Sequence, residues 1–337
     1  MSGVRLLTRK GSRKGQSRPP SVALEIDVAL TIAIAQTIMR KHCPSCVVES
    51  CEPRHGGGIS TVYEMRCSQP DQRVILKVYP DTFHWKMEKE VYVYSLLDRA
   101  EGLPTPSSLW SDDSKELLPQ NYLLMTTLKG QRLSHVAPSL SDLQLRDIYF
   151  QMGTLLAKVH DITLDAFGYI TTRVIASHAT NEVYMRSQFQ KKLAELEAHG
   201  GDASLRRTVE AYVARHGDLL THAHTPVLCH DDYHEGNVLV AEEEASWRVT
   251  GIIDVENAVA GDPLLDIAKT DYYAIKANAA KREGFLAGYG RLPVHWHNRV
   301  RLYKLYHALE LWDWFAALGN NAAVLRITAD IQRFSAV

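Results

Sequence analysis

Residues 229–237 read CHDDYHEGN, placing two histidines, two adjacent aspartates, a glutamate and an asparagine within nine positions. Three chemistries fit such a cluster. The histidines with a carboxylate could bind a metal, one aspartate could act as a general base, or the stretch is a polar surface turn. Short apolar runs, TPVL before it and VLVA after it, mark it as a loop between strands.

The next stretch narrows the choice. VLVA and WRVTGII are strand-like and are joined by the acidic turn EEEAS. An antiparallel hairpin returns the end of its second strand to the start of its first. Asn237 and Asp254 therefore meet, an amide oxygen beside a carboxylate, and such hard oxygen ligands suit Mg²⁺. Asp232 precedes Asn237 by five residues on the same loop. Zinc on His230 and His234 is the lesser reading.

A second group lies near the beginning of the chain. In RVILKVY, strand alternation puts Ile75, Lys77 and Tyr79 on one face and Val74, Leu76 and Val78 on the other. A lysine at that position either reaches water or meets an anion. The following segment, residues 84–100, has helical spacing, with Lys86, Glu90, Val93 and Leu97 in one stripe and Glu88 away from it. A glutamate on a buried stripe requires a partner.

These residues must be positioned by two kinds of structure. Residues 21–41 are expected to form an amphipathic helix capped by Ser21. Residues 51–80 are expected to form a hairpin entered through a glycine-rich turn, and 121–130 a buried strand. From there the chain becomes helical. Residues 142–161 carry a capping-box signature at Ser141 and Gln144, and 183–222 read as helix broken at HGGDAS. The expected division is a basic tail at 1–20, a strand-rich lobe at 21–128 and a helical lobe at 129–337.

Composition fits a globular protein, 45% hydrophobic and 23% charged. The first 20 residues hold six basic side chains and no acid, so the remainder has 32 basic against 39 acidic residues. The tail reads as disordered. The acidic body argues against nucleic acid as the main partner and leaves room for a cation. The most apolar run, 28–39, is too short to span a membrane. Five cysteines, with a single CPSC motif at 43–46, are expected to be reduced thiols of a cytoplasmic protein.

Seven segments in order resemble the aminoglycoside phosphotransferase and choline kinase family of kinase-like small-molecule phosphotransferases. They are GGGISTVYEM, VILKVY, LLMTTLKG, LLAKVHDI, HDDYHEGN, IIDVE and GDPLLDIA, and the resemblance covers roughly residues 50–315. It implies an α+β, two-lobed protein-kinase-like fold. A small N-terminal lobe would hold an antiparallel sheet with one inward helix, and a larger helical lobe would follow.

It also implies roles matching the phosphoryl-transfer template. Asp232 would be the catalytic carboxylate, and Asn237 and Asp254 would hold Mg²⁺. Lys77, held by Glu90, would bind the phosphates of ATP, with GTP not excluded. The backbone of Gly57, Gly58 and Ser60 would cover the phosphates. Val62 and Ile75 would lie above the base, and main-chain groups of Thr126 and Leu128 would meet its edge. His230 would frame the loop and Asp266 would brace the catalytic loop, while Asp262 has a local explanation, as the N-cap of a helix with Pro263 at N1.

Two positions depart from the pattern. Asp231 replaces a small or amide residue, and its charge could raise the pKa of Asp232 or help bind a cation. Val255 stands where an aromatic residue is common. The acceptor is expected to be a hydroxyl on a small, cationic molecule, received by Glu256, Asp271, Glu310 and Asp313 beside Trp314. An aminoglycoside kinase is the first reading. A kinase of choline, homoserine or a sugar is the second, and a non-catalytic pseudokinase the third. The protein is expected to be a monomer or homodimer.

Overall fold

The computed structural model describes residues 30–54 and 60–336. The basic tail, the helix cap expected at Ser21, and Gly57 and Gly58 lie outside those residues.

The first part of the chain forms α1 (Ile32–His42), β1 (Val48–Arg54), β2 (Thr61–Ser68), β3 (Asp71–Tyr79), α2 (His84–Leu97), β4 (Ser108–Asp112) and β5 (Asn121–Thr126). The strands make one antiparallel sheet in the order β1-β2-β3-β5-β4. Alternation along β3 sorts its side chains to two faces. Val74, Leu76 and Val78 pack with Ala35, Ile38 and Met39 of α1. Lys77 and Tyr79 face α2 on the other side, where they meet Glu90.

The first helix starts later than its apolar pattern implies. Leu30 and Thr31 are not helical, and Thr31 is the N-cap, its hydroxyl accepting from the Ile34 N–H at 3.3 Å. The cap satisfies an amide that would otherwise lack a partner. Strand β4 was not expected from sequence. Its Leu109 and Trp110 are exposed on a sheet edge, so no polar–apolar alternation announces it.

The second part adds β6 (Gln131–Arg132), α3 (Leu133–Val136), α4 (Asp142–His160), β7 (Phe167–Ile170), β8 (Val174–His178), α5 (Asn181–Ala198) and α6 (Ala203–His216). Then follow β9 (Val227–Cys229), β10 (Val238–Glu243), β11 (Ser246–Ile252), β12 (Val259–Gly261), α7 (Pro263–Thr270), α8 (Ala279–Tyr289), α9 (Trp296–Ala317) and α10 (Asn321–Ser335). Ser141 and Gln144 close a reciprocal capping box on α4. The two-lobed, kinase-like α+β architecture is thus realised. A small sheet lobe with one inward helix precedes a larger helical lobe, which also carries two short sheets, β11-β10-β6 and β8-β7-β12-β9.

Two close approaches depend on glycine. Gly130, between the lobes, has φ +103°, and a Cβ there would stand 2.5 Å from the Val240 carbonyl oxygen. Helices α4 and α8 touch backbone to backbone, with Gly153 against Phe285 and Tyr289, Gly284 against Arg146, and Gly288 against Phe150. Among the described residues no helix is long and apolar enough to cross a membrane.

Candidate active site

Two loops build the site, and each is pinned at both ends by strand pairing. One is residues 230–237, between β9 and β10. The other is residues 253–258, between β11 and β12. Strand β9 pairs with β12, and β10 pairs with β11, so the loops emerge side by side. The Ile253 N–H donates to the Asn237 carbonyl at 3.0 Å, which joins them directly. The hairpin turns at Glu244 and Ala245, with φ +49° and +63°, the double left-handed geometry that matches strand twist.

Asp232 is encircled by donors. Its Oδ2 accepts from Asn237 Nδ2 at 3.1 Å and lies 3.4 Å from Asn257 Nδ2. His234 Nδ1 accepts from the Gly236 N–H at 2.9 Å, so the ring proton sits on Nε2, 3.4 Å from Asp232 Oδ1. Burial pushes the Asp232 carboxyl up. The His234 hydrogen bond and the charge of Lys269 outweigh it and hold the group below the usual carboxylate range. The upward shift expected from Asp231 is therefore not found.

Asp231 itself is accounted for. It is buried with φ +54°, a conformation that aspartate tolerates better than most residues. Its N–H donates to Asp266 Oδ1 at 2.7 Å. Its carbonyl accepts from Lys269 Nζ at 2.6 Å, and its carboxylate lies 3.3 Å from the same ammonium. Burial pushes its carboxyl up to about 7 against the pull of Lys269.

Asp266 accepts from the His230 N–H at 2.7 Å and contacts His160 Nε2 at 3.0 Å. His230 Nε2 is 3.1 Å from the Ile253 carbonyl, tying the 230–237 loop to its neighbour. Asp262 caps α7, accepting from the Leu264 N–H at 3.0 Å, and also takes the Tyr303 hydroxyl at 2.6 Å.

The sheet lobe supplies the opposite wall. Lys77 Nζ pairs with Glu90 Oε1, while Tyr79 donates to Glu90 Oε2 at 2.7 Å. Lys77 also reaches across to Asp254 Oδ1 at 3.2 Å and Glu256 Oε2 at 3.5 Å. Burial disfavours its charge, but the carboxylates of Asp254 and Glu90 overcome that and hold the ammonium well above its ordinary pKa. Glu90 shifts up because its own burial exceeds the pull of Lys77. Asp254 has φ +66°, and its N–H donates to the Tyr94 hydroxyl at 3.3 Å.

Ser60 is buried. Val62 pairs opposite Lys77, so it and Ile75 share the lysine's face. The Thr126 N–H already donates to the Ser107 carbonyl at 3.0 Å, which leaves only its carbonyl for a base edge, while Leu128 is half-buried beyond the end of β5.

The four acids expected to share one acceptor pocket are each engaged by basic side chains. Glu256 stands with Glu90 and Asp254 and accepts from Lys86 at 2.6 Å. Glu310 joins Asp231 and His307, and Lys269 and the His307 contact hold its carboxyl low despite burial. Asp313 is buried against Lys192 at 3.4 Å and His199 at 3.0 Å. Asp271 pairs with Lys304 and with Arg282 at 2.9 Å.

Sequence reasoning missed Lys86, Lys89, Asn257 and Lys269. Helical spacing flagged the stripe of Lys86, but not that Glu256, 170 positions away, receives it. Lys89 is wholly buried, and its ammonium has no hydrogen-bond partner among the described residues. It lies 3.9 Å above the Tyr169 ring, and burial pulls its pKa down to about 7. The described residues show no group of three close metal ligands that includes Cys43, Cys46 or Cys51.

A strand lysine clamped by a helix glutamate, facing an Asp–Asn loop and a second aspartate, defines a kinase-like small-molecule phosphotransferase. The comparisons agree. The model of the phosphotransferase enzyme family matches residues 50–319, and the chain belongs to that family. No curated protein sequence matches it. Among solved structures, the apo form of a thermostable mutant of aminoglycoside phosphotransferase APH(4)-Ia superposes with TM-score 0.68 at 16% identity, covering 89% of this chain and 98% of that one. A ternary complex of the same enzyme with ADP and hygromycin B gives 0.66 at 16%, covering 89% and 97%. The GDP and kanamycin complex of APH(2")-IIia gives 0.63 at 14%, again covering 89% and 97%.

Proposed function

We propose that the protein transfers the γ-phosphoryl group of ATP, with Mg²⁺, to a hydroxyl of a small molecule. The observation that carries this reading is the chain of contacts from Glu90 through Lys77 to Asp254, which joins residues 177 positions apart across the cleft. A lysine so held is preorganised to meet phosphate oxygens, and its location at the lobe junction matches the phosphoryl-transfer template. GTP as donor is the alternative arm. Use of a cytosolic nucleotide pool would place the enzyme in the cytoplasm.

The residues present fit a magnesium ion by their donor chemistry. The Asn237 amide turns its NH₂ to the Asp232 carbonyl and carboxylate, at 3.0 and 3.1 Å, which leaves Oδ1 available as a ligand. The Asp254 side chain is 37% exposed and offers carboxylate oxygen beside it. When bound, the ion would neutralise charge on the phosphate oxygens.

The protein's own part is positioning. Asp232, ionised and fixed by His234 and Asn237, would accept the hydrogen bond of the acceptor hydroxyl. A carboxylate held below its usual range is a weak base, so orientation is its larger contribution. Lys77 would draw the phosphates to one place, with Glu90 and Tyr79 fixing its direction.

Two of the similar solved structures hold hygromycin B or kanamycin, so an aminoglycoside is one acceptor to test. A specific observation favours the other reading, a metabolic hydroxyl compound. Glu256, Asp271, Glu310 and Asp313 each already meet a cationic side chain, which leaves none of them unpaired for an amine-rich acceptor.

A coupled ADP-release assay over aminoglycosides, choline, homoserine and sugars tests the proposal. Asp232→Asn is expected to lower kcat by about 10²-fold or more. ATP·Mg affinity, read by calorimetry, should change by no more than about twofold. Undiminished turnover in that variant would show that Asp232 does not orient the acceptor hydroxyl.

A further inference from the structure

The geometry points to an anionic acceptor, a small alcohol that also carries a carboxylate or a phosphate ester, bound in a basic cavity beside the catalytic loop. This rests on the phosphotransferase reading and specifies its substrate class.

The cavity, about 1220 Å³, is lined at one side by His234, whose Nε2 stands 3.4 Å from Asp232 Oδ1. Its other walls come from the segment after α7 and from α8, α9 and α10. Those walls carry six Lys or Arg side chains, at 276, 282, 301, 304, 326 and 333, against two carboxylates, Asp271 and Asp330. Both carboxylates are already engaged. Asp271 meets Arg282 and Lys304, while Asp330 meets Arg333 at 2.6 Å and the Tyr272 hydroxyl at 2.8 Å. Arg301 is spent on the carbonyls of Phe334 and Arg333, at 3.0 and 3.2 Å.

Lys276 and Arg326 remain. Both are exposed in the cavity wall, and neither side chain makes an ion pair or hydrogen bond among the described residues. Backbone geometry sets Lys276 apart. Residues Asp271–Ile275 form a single wide π turn closed by the Lys276 N–H on the Asp271 carbonyl at 2.8 Å, and Lys276 itself has φ +54°. Single π turns are rare and are found frequently at functional sites. A concave wall with surplus positive charge focuses potential on its contents. A polyamine would meet like charge there, whereas an anion is complementary.

The test is kcat/KM with ATP·Mg for two matched pairs, glycerate against glycerol and ribose 5-phosphate against ribose, with kanamycin and choline as cationic probes. At least one anionic member should exceed its neutral partner by about tenfold or more, and the pair that responds tells carboxylate from phosphate. Lys276→Glu combined with Arg326→Glu should raise the KM of that anion about tenfold while leaving the KM for ATP and the circular dichroism spectrum unchanged. Asp232-dependent turnover that prefers a neutral or cationic probe overturns the inference and leaves the phosphotransferase reading standing. So does an unchanged acceptor KM in the double variant. Absence of Asp232-dependent turnover with every probe overturns the phosphotransferase reading, and this inference with it.

Discussion

At the scale of single residues, Lys89 is the most costly feature of the site. Its ammonium is buried beside Glu90 on α2, with the face of Tyr169 against it and the charges of Asp231 and Glu256 near enough to favour it, but burial wins. A buried charge without a hydrogen-bond partner is expensive, and a cation–π contact recovers only part of that expense. The proton linkage follows from a folded pKa of about 7 set against the ordinary lysine value of 10.5. Between those values the unfolded chain binds more protons than the folded one, so this group makes stability rise with pH from about 7 to about 10.5. Below that window the penalty is fully present. Lys89→Met should therefore raise the melting temperature at pH 6, by about 2 °C for each ~1 kcal/mol recovered, and flatten the rise above pH 7. Scanning calorimetry across pH 6–10 reads both effects. A variant that melts lower at pH 6 would show that the cation–π contact outweighs burial.

Residue types and spacing already held much of this site. Strand alternation in β3 and the stripe of α2 were enough to turn Lys77 toward Glu90. Hairpin geometry alone brought Asn237 beside Asp254. The charges of the helical lobe were not legible in the same way. Glu310 and Asp313 sit one turn apart on α9 and read as an open acidic pair, but besides the local His307 contact of Glu310 their lysine partners, Lys269 and Lys192, lie 41 and 121 positions earlier. Local periodicity reports which face a residue occupies and is silent on which cation the fold brings to that face. Asp231 is the sharper case. Its φ of +54° and its double tie to Asp266 and Lys269 arise from the loop's backbone path, which no spacing rule encodes.

At the scale of elements, the contact between α4 and α8 sets the floor of the site. Gly153, Gly284 and Gly288 let the two backbones touch. Helix α8 then delivers Lys281 to Glu235 in the 230–237 loop at 2.6 Å, and Tyr289 to His160 at 2.8 Å. A Cβ on Gly288 would overlap the Phe150 carbonyl, which is backbone and cannot turn aside. Gly288→Ala is expected to destabilise the fold by about 1–3 kcal/mol, read from urea unfolding, because helices forced apart lose packing along their length. Turnover should fall as well, since the shift is passed to Glu235 and His160. The elements themselves were largely visible in the sequence, from the capping box of α4 to the strands of the β10–β11 hairpin. The glycine seam was not, because an isolated glycine in a helical pattern shows no partner.

At the scale of the whole molecule, the lobes are held together by charges that a nucleotide would share. Lys77 of the sheet lobe touches Asp254 and Glu256 of the helical lobe, and Lys86 touches Glu256. Phosphates entering between them would replace one set of cross-lobe contacts with another, and a ligand that binds only the folded state stabilises it by mass action. ATP·Mg at about 100 times its dissociation constant should stabilise the fold by about 2.7 kcal/mol. Differential scanning fluorimetry should show the corresponding upward shift, lost with EDTA or in Asp254→Ala. A full shift in that variant would place the nucleotide elsewhere.

The strand pairing around the two loops also sets how the chain can vary. Because β9 holds β12 and β10 holds β11, the far tip of the β10–β11 hairpin, at exposed Glu244 and Ala245, is mechanically insulated from Asp232 and Asp254. Loop closure grows costlier only slowly with length, by about 0.6 kcal/mol for each doubling. The tip is thus a natural port on this enzyme, a point where a tag, a fluorophore or a whole guest domain could be spliced into the chain with the distance between Asp232 and Asp254 unchanged.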